Sequence, residues 1–131
     1  MGRPSPKIFV SWGELIDKIT ILEIKADLIK AESARKNVLK ELAYIRDIAD
    51  AELASDGWMA ERMSALKKVN AALWDIEDRI RAKDRAGAFD QEFVDLARSV
   101  YKLNDERAAI KKQINVHLSS EFVEEKSYQS Y

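Results

Sequence analysis

Arg107 sits where the sequence asks for something else. It falls between Leu103 and Ile110, at a place where the spacing of the surrounding helix calls for an apolar side chain. A charge on an apolar seam must be paired or must face a cavity. Lys111 follows one helical turn later and Asn104 precedes it by nearly one turn, so the three could offer donors to a carboxylate or phosphate. On the preceding helix, Trp74, Asn70 and Glu77 form a polar-aromatic stripe, and Tyr101, Asn104 and Asp105 form another on the helix of Arg107. Facing stripes would line a small pocket for an anionic metabolite or sugar phosphate. Each feature also has a structural reading. Arg107 could be a buried ion pair with Glu77, Asp17 or Glu23 that sets helix register, and the stripes could seal the edge of a core.

Other chemistry is thinly provided. His117 is the only histidine, in the last turn of the final helix, where a cation interacts well with the helix C-terminus. A single histidine cannot build a di-iron site from two Glu-x-x-His elements, and it serves catalytic zinc poorly. The absence of cysteine excludes disulfides, thiolate zinc and cysteine nucleophiles. No Gly-rich phosphate loop, G-x-S-x-G or dinucleotide fingerprint occurs. No metal or cofactor is expected, and catalysis is neither indicated nor excluded.

The elements that must position these residues are helices. The 131 residues amount to one domain with a core of its own, an ordered part over about 8–118 and a tail over 119–131. With 22 basic and 23 acidic residues the net charge is −1, which offers no general attraction to nucleic acid. An apolar content of 47% beside 34% charged residues suits helices with one apolar and one charged face. No apolar run is long enough for a signal peptide or a membrane span, so a cytoplasmic protein is expected.

Both prolines, Pro4 and Pro6, precede the apolar run Lys7-Ile8-Phe9-Val10. Ser11 and Glu14 form an S-x-x-E capping box. Leu15, Ile19, Leu22, Ala26 and Ile29 then follow heptad steps, and a second stripe runs Ile21, Ile24, Leu28, Ala31, Val38, Leu42, Ile45 and Ala49, broken only by Arg35. One helix over 12–54 fits this pattern, as does a break near Ser33 capping a new start. Ser55-Asp56-Gly57 reads as a turn, and a helix over 58–86 ends at Gly87. Asp90 caps a last helix ending near Leu118. Two apolar faces on the first helix mean that it is central or touches a second copy of the chain.

Three segments carry a resemblance: Gly13 to Lys25 (GELIDKITILEIK), Leu73 to Asp78 (LWDIED), and Leu96 to Tyr101 with Val123 to Tyr128 (VEEKSY). Together they resemble a bacterial family of unknown function over nearly the whole chain. That resemblance implies a small free-standing bacterial protein and supplies no catalytic residues. It also implies that the motif Val123–Tyr128, beyond the last helix, docks somewhere, onto a neighbouring subunit for example. A long first helix followed by shorter ones is also similar to the all-helical chorismate mutases, intertwined dimers that grip a dicarboxylate with Arg and Lys. Here the first half of that helix offers only Lys18 and Lys25.

The expectation is therefore an all-α antiparallel bundle of three to four long amphipathic helices, forming an intertwined or side-by-side homodimer. The leading function is a non-enzymatic interaction or scaffold module with a protein partner, without nucleic acid or membrane. The alternative is a site for an anionic metabolite or sugar phosphate using Arg107, Lys111 and Asn104, with Glu77, Trp74, Tyr101 and Lys18 as further candidates.

Overall fold

The computed structural model describes residues 2–53 and 56–130. Its helices are α1 (Trp12–Leu28), α2 (Glu32–Glu52), α3 (Gly57–Arg85) and α4 (Gln91–His117), with no strand among the described residues. Three starts are capped by side chains, Ser11 and Asp90 as the sequence indicates and Asp56 from within the expected turn: they accept from the backbone N–H groups of Glu14, Phe93 and Met59 respectively. The capping box of α1 is only half made. The Glu14 carboxylate reaches Lys111 at 2.7 Å and does not turn back to Ser11. Helix α3 ends with Gly87 at φ 68°, the left-handed residue that a glycine supplies at no steric cost. Of the expected turn, Asp56 and Gly57 open α3, while Ala54 and Ser55 lie outside the described residues.

A continuous helix over 12–54 does not form, and the break is not at Ser33. The chain leaves the helix at Ile29–Ala31, and Ala31 begins α2 with no side-chain cap. Ser33 lies inside the first turn of α2. Arg35, the one polar interruption of the second stripe, donates from Nε to the Ala26 carbonyl at 2.9 Å and so satisfies a carbonyl in the last turn of α1. The very long first helix that likeness to the chorismate mutases would need is absent.

Helix α1 packs against all three others. Ile16, Ile19, Leu22, Leu42, Ile45, Ala49, Met59, Leu66 and Ile114 form one buried cluster with members from every helix. The two apolar faces of α1 are thus largely covered within one chain, α2 on one side and the α3–α4 hairpin on the other, with Leu28 at its end left 49% exposed. Ion pairs from Lys18 to Glu41 and from Arg46 to Glu23 tie α2 to α1. The α3–α4 hairpin is clipped at its turn, where Lys83 lies 2.8 Å from Asp90 and 3.1 Å from Glu92.

Both chain ends fold back on this bundle. The Ser120 hydroxyl accepts from the Trp12 backbone N–H, and the rings of Phe9 and Phe122 stack with centroids 6.4 Å apart. Beyond them the tail lies against α4, with Glu124 at Lys111, Glu125 at Lys112 and Lys126 at the Asn104 carbonyl. No helix is long and apolar enough to cross a membrane.

Candidate functional site

Asp17 organises the polar centre of the bundle. It is 1% exposed on α1 and faces both α3 and α4. Arg107 meets it in a two-pronged pair, Nε donating to Oδ1 at 2.9 Å and Nη2 donating to Oδ2. Asn70 donates from Nδ2 to Asp17 Oδ1 and to the Thr20 hydroxyl, each at 2.9 Å. The Thr20 hydroxyl in turn donates to the Asp17 carbonyl at 2.7 Å. A buried carboxylate is tolerable only when satisfied in this way. Of the partners considered for Arg107, Asp17 is the one used. Glu77 pairs with Arg81 at 3.4 Å, and Glu23 with Arg46 and Lys67.

Lys111 completes a second shell of charge. Its side chain is 8% exposed, and Nζ lies 2.7 Å from Glu14, 2.8 Å from Glu124 and 3.8 Å from Asp17. Burial pulls the Lys111 ammonium towards its neutral form, and the hydrogen bonds to Glu124 and Glu14 outweigh it, so its pKa is raised. The same bond to Lys111 holds the Glu124 carboxyl below the ordinary glutamate range. Hydrogen bonding to Asp17 raises Arg107 further above its already high value. Close approach of α4 to α1 makes this possible. The Gly13 N–H donates to Asn115 Oδ1 at 2.7 Å, and a Cβ on Gly13 would stand 2.6 Å from the Lys111 carbonyl.

The electrostatic balance bears directly on the anion reading. Arg107 and Lys111 face Asp17, Glu14 and Glu124, two positive charges against three negative ones. The donors expected to grip an external anion grip carboxylates of their own chain.

Beside this network an open cavity of about 540 Å³ lies between α1, α3 and α4. Ile21, Ile24 and Leu73 supply its apolar wall, and Trp74, Asn104 and Arg107 are among its other residues. Glu77 and Asn70 also line it, so the whole α3 stripe faces the cavity, while of the α4 stripe only Asn104 does and Tyr101 and Asp105 do not. Asn104, Arg107, Glu77 and Trp74 are therefore brought together. Tyr101, Lys18 and Lys111 are not among the residues that line this cavity. Tyr101 is 40% exposed with its hydroxyl 3.5 Å from Arg98 Nε, Lys18 pairs with Glu41 on α2, and Lys111 faces Glu14 and Glu124. His117 stacks on Trp58 with ring centroids 3.9 Å apart, away from this cavity. No group of His, Cys, Asp and Glu able to hold a metal ion occurs among the described residues.

Sequence reasoning missed Thr20, Glu124 and Asn115. Thr20 shares a helix face with Asp17, three residues on, and could have been found. Glu124 and Asn115 bond across 13 and 102 residues of sequence, and no periodicity marks them.

A family model described as a family of unknown function (DUF6165) matches residues 6–131. Comparison with curated proteins and with solved structures gives no match.

Proposed function

The chain belongs to that family of unknown function, and we propose that it is a non-enzymatic interaction module that assembles with a second copy of itself. The observation that carries this reading is an apolar patch at the two chain ends. Ile8 is 80% exposed and Phe9 87%, and Phe122, packed beside Phe9, is 48% exposed. Large apolar side chains gathered at one place in this way mark contact surfaces on soluble proteins. The internal charges, by contrast, are satisfied within the chain. A bacterial, cytoplasmic setting, argued from the motifs and the absence of cysteine, belongs to the same proposal. Sedimentation velocity from micromolar to submillimolar concentration tests it. The wild-type chain should show a concentration-dependent shift towards a dimer, and Ile8→Ser with Phe9→Ser should remove it. A wild-type chain that stays monomeric throughout overturns the reading.

A second reading rests on the cavity beside Trp74. It is of a size that holds small ligands, with an apolar wall and a few polar groups. Because Arg107 is neutralised by Asp17, the ligand favoured is one of little net charge, bound by Trp74, Asn104, Asn70 and Glu77, rather than a strongly anionic one held by Arg107 and Lys111. A thermal-shift screen with nucleosides, sugars and sugar phosphates tests it. A ligand at 100-fold over its Kd adds ~2.7 kcal/mol. The shift should vanish in Trp74→Ala and survive in Tyr101→Phe. A flat screen removes this reading.

A further inference from the structure

One wall of the cavity beside Trp74 repeats along its helix. Asn70, Trp74 and Asp78 all line the cavity and follow one another in steps of four on α3, so a single helix face presents them. Asn70 is 6% exposed. Its amide nitrogen is committed to Asp17 and Thr20, and this fixes the amide, since the reverse orientation would set its oxygen against a carboxylate. Its Oδ1 accepts from no group among the described residues. Nor is that oxygen sealed in, because the one sealed side-chain atom without a partner among those residues is Arg62 Nε. It is an unused acceptor that opens to the cavity. Trp74 is half-buried, and no cation of the described residues lies over its ring, whereas Arg62 lies over that of Trp58. The charges of the cavity also leave a remainder. Arg107 is answered by Asp17, and Arg81 donates from Nε to Glu77 at 3.4 Å. Asp78 has no Lys or Arg of the described residues within ion-pair distance, so one negative charge is left over, one turn from the Trp74 ring.

We propose that this cavity takes a small organic amine of single positive charge, its ammonium between Asp78 and the face of Trp74 and a hydroxyl or other neutral donor at its far end on Asn70 Oδ1. The proposal rests on the cavity reading above and gives it a ligand class. A carboxylate beside an aromatic face holds an ammonium by charge, hydrogen bond and ring quadrupole together. Ile21, Ile24 and Leu73 cover an apolar body between the two ends. Eight residues of helix set those ends about 12 Å apart. Less a hydrogen bond at each end, roughly 6 Å remains, the length of a ring with a short chain. An anion would bring acceptors to the acceptors of Asn70 and Asp78. A neutral ligand would leave the odd charge unanswered. A diamine would set its second ammonium beside Arg107, which shares Asp17 Oδ1 with Asn70.

Three probes separate these contributions. Tyramine has the ring, the hydroxyl and the ammonium. Phenethylamine lacks the hydroxyl, and hydroxyphenylpropionate carries a carboxylate in place of the ammonium. Titration calorimetry on the full chain at low salt should rank them in that order, with phenethylamine about fivefold weaker and the propionate unbound. Asp78→Asn should weaken tyramine about tenfold. Asp78 is exposed and unpaired, so the Tm of this variant without probe should match that of the wild type. Asp105→Asn, exposed on α4 and outside the cavity, should bind tyramine as the wild type does. Equal binding of tyramine and the propionate, or tyramine binding unaltered by Asp78→Asn, overturns the amine class. Equal binding of phenethylamine and tyramine overturns the contact with Asn70. If no amine binds while a sugar or nucleoside raises Tm in a Trp74-dependent way, the cavity reading stands and this ligand class falls. Silence from every compound overturns both.

Discussion

At the scale of the residue, the polar centre of this bundle depends on one carboxylate. Asp17 is 1% exposed and held by Arg107 and Asn70, with Lys111 near. Removing one partner of a buried pair leaves an uncompensated charge and costs about 3–5 kcal/mol. Arg107 is 29% exposed on its side chain, so the lower end of that range applies, roughly 3 kcal/mol. Arg107→Met should therefore lower Tm by on the order of 10 °C. Replacing both partners, Asp17→Leu with Arg107→Met, should recover part of the loss, because neither charge is then left unpaired. Thermal denaturation of the two singles and the double measures the coupling. Purely additive losses would mean that Arg107 and Asp17 do not act as a pair. Arg107 was legible from the sequence as a charge out of place, and its pairing was one of the alternatives open to it. Nothing in the sequence showed that Lys111 would be held too, because one of its partners is in the tail.

At the scale of the element, the helix boundaries that carry chemistry of their own were legible, and the one that carries none was not. Ser11, Asp56, Asp90 and Gly87 each do at a helix end what their side chain, or its absence, allows. The α1–α2 break has no such marker: Ala31 has no side-chain cap, the apolar stripe stays in phase across it, and Ser33 nearby looks like a cap without being one. That missing cap can be supplied. Ala31 has the extended backbone of an N-cap, φ −62° and ψ 119°, so Ala31→Ser should stabilise the chain by about 0.5–1.5 kcal/mol. A higher denaturant midpoint with an unchanged m-value would confirm the cap, and an unchanged midpoint would count against it. The tail is an element of a different kind, fixed by charge and not by periodicity. Because Lys111 holds Glu124 below the ordinary glutamate range, the docked tail binds fewer protons than the free one. This contribution is complete above the ordinary glutamate pKa and is lost as pH falls through the lowered value. Protection factors for amide exchange of residues 121–130 should fall in acid below that range, and Glu124→Gln should produce the same loosening at neutral pH. Tail protection that is unaltered by Glu124→Gln would show that the other tail contacts, those of Ser120, Phe122, Glu125 and Lys126, hold it without Glu124.

At the scale of the whole molecule, the fold answers one argument for a dimer and leaves another. The two apolar faces of α1, which from sequence alone asked for a central position or a second copy, are both largely covered by α2, α3 and α4, Leu28 excepted. Among the large apolar side chains that stay exposed are Ile8, Phe9 and Val10 with Phe122, gathered where the two chain ends meet. No periodic pattern could reveal this patch, because neither segment is helical and they are more than a hundred residues apart in sequence. A dimer built there has a thermodynamic signature. Association that occurs only in the folded state stabilises it by mass action, so Tm should rise with protein concentration. The dependence should disappear in Phe9→Ser, whose Tm at low concentration should match that of the wild type, since Phe9 is 87% exposed in the single chain and supports little of its core. Calorimetry over a hundredfold range of concentration makes the comparison. A wild-type Tm independent of concentration, with Phe9→Ser equally stable throughout, would mean that this patch serves no contact between copies of the folded chain.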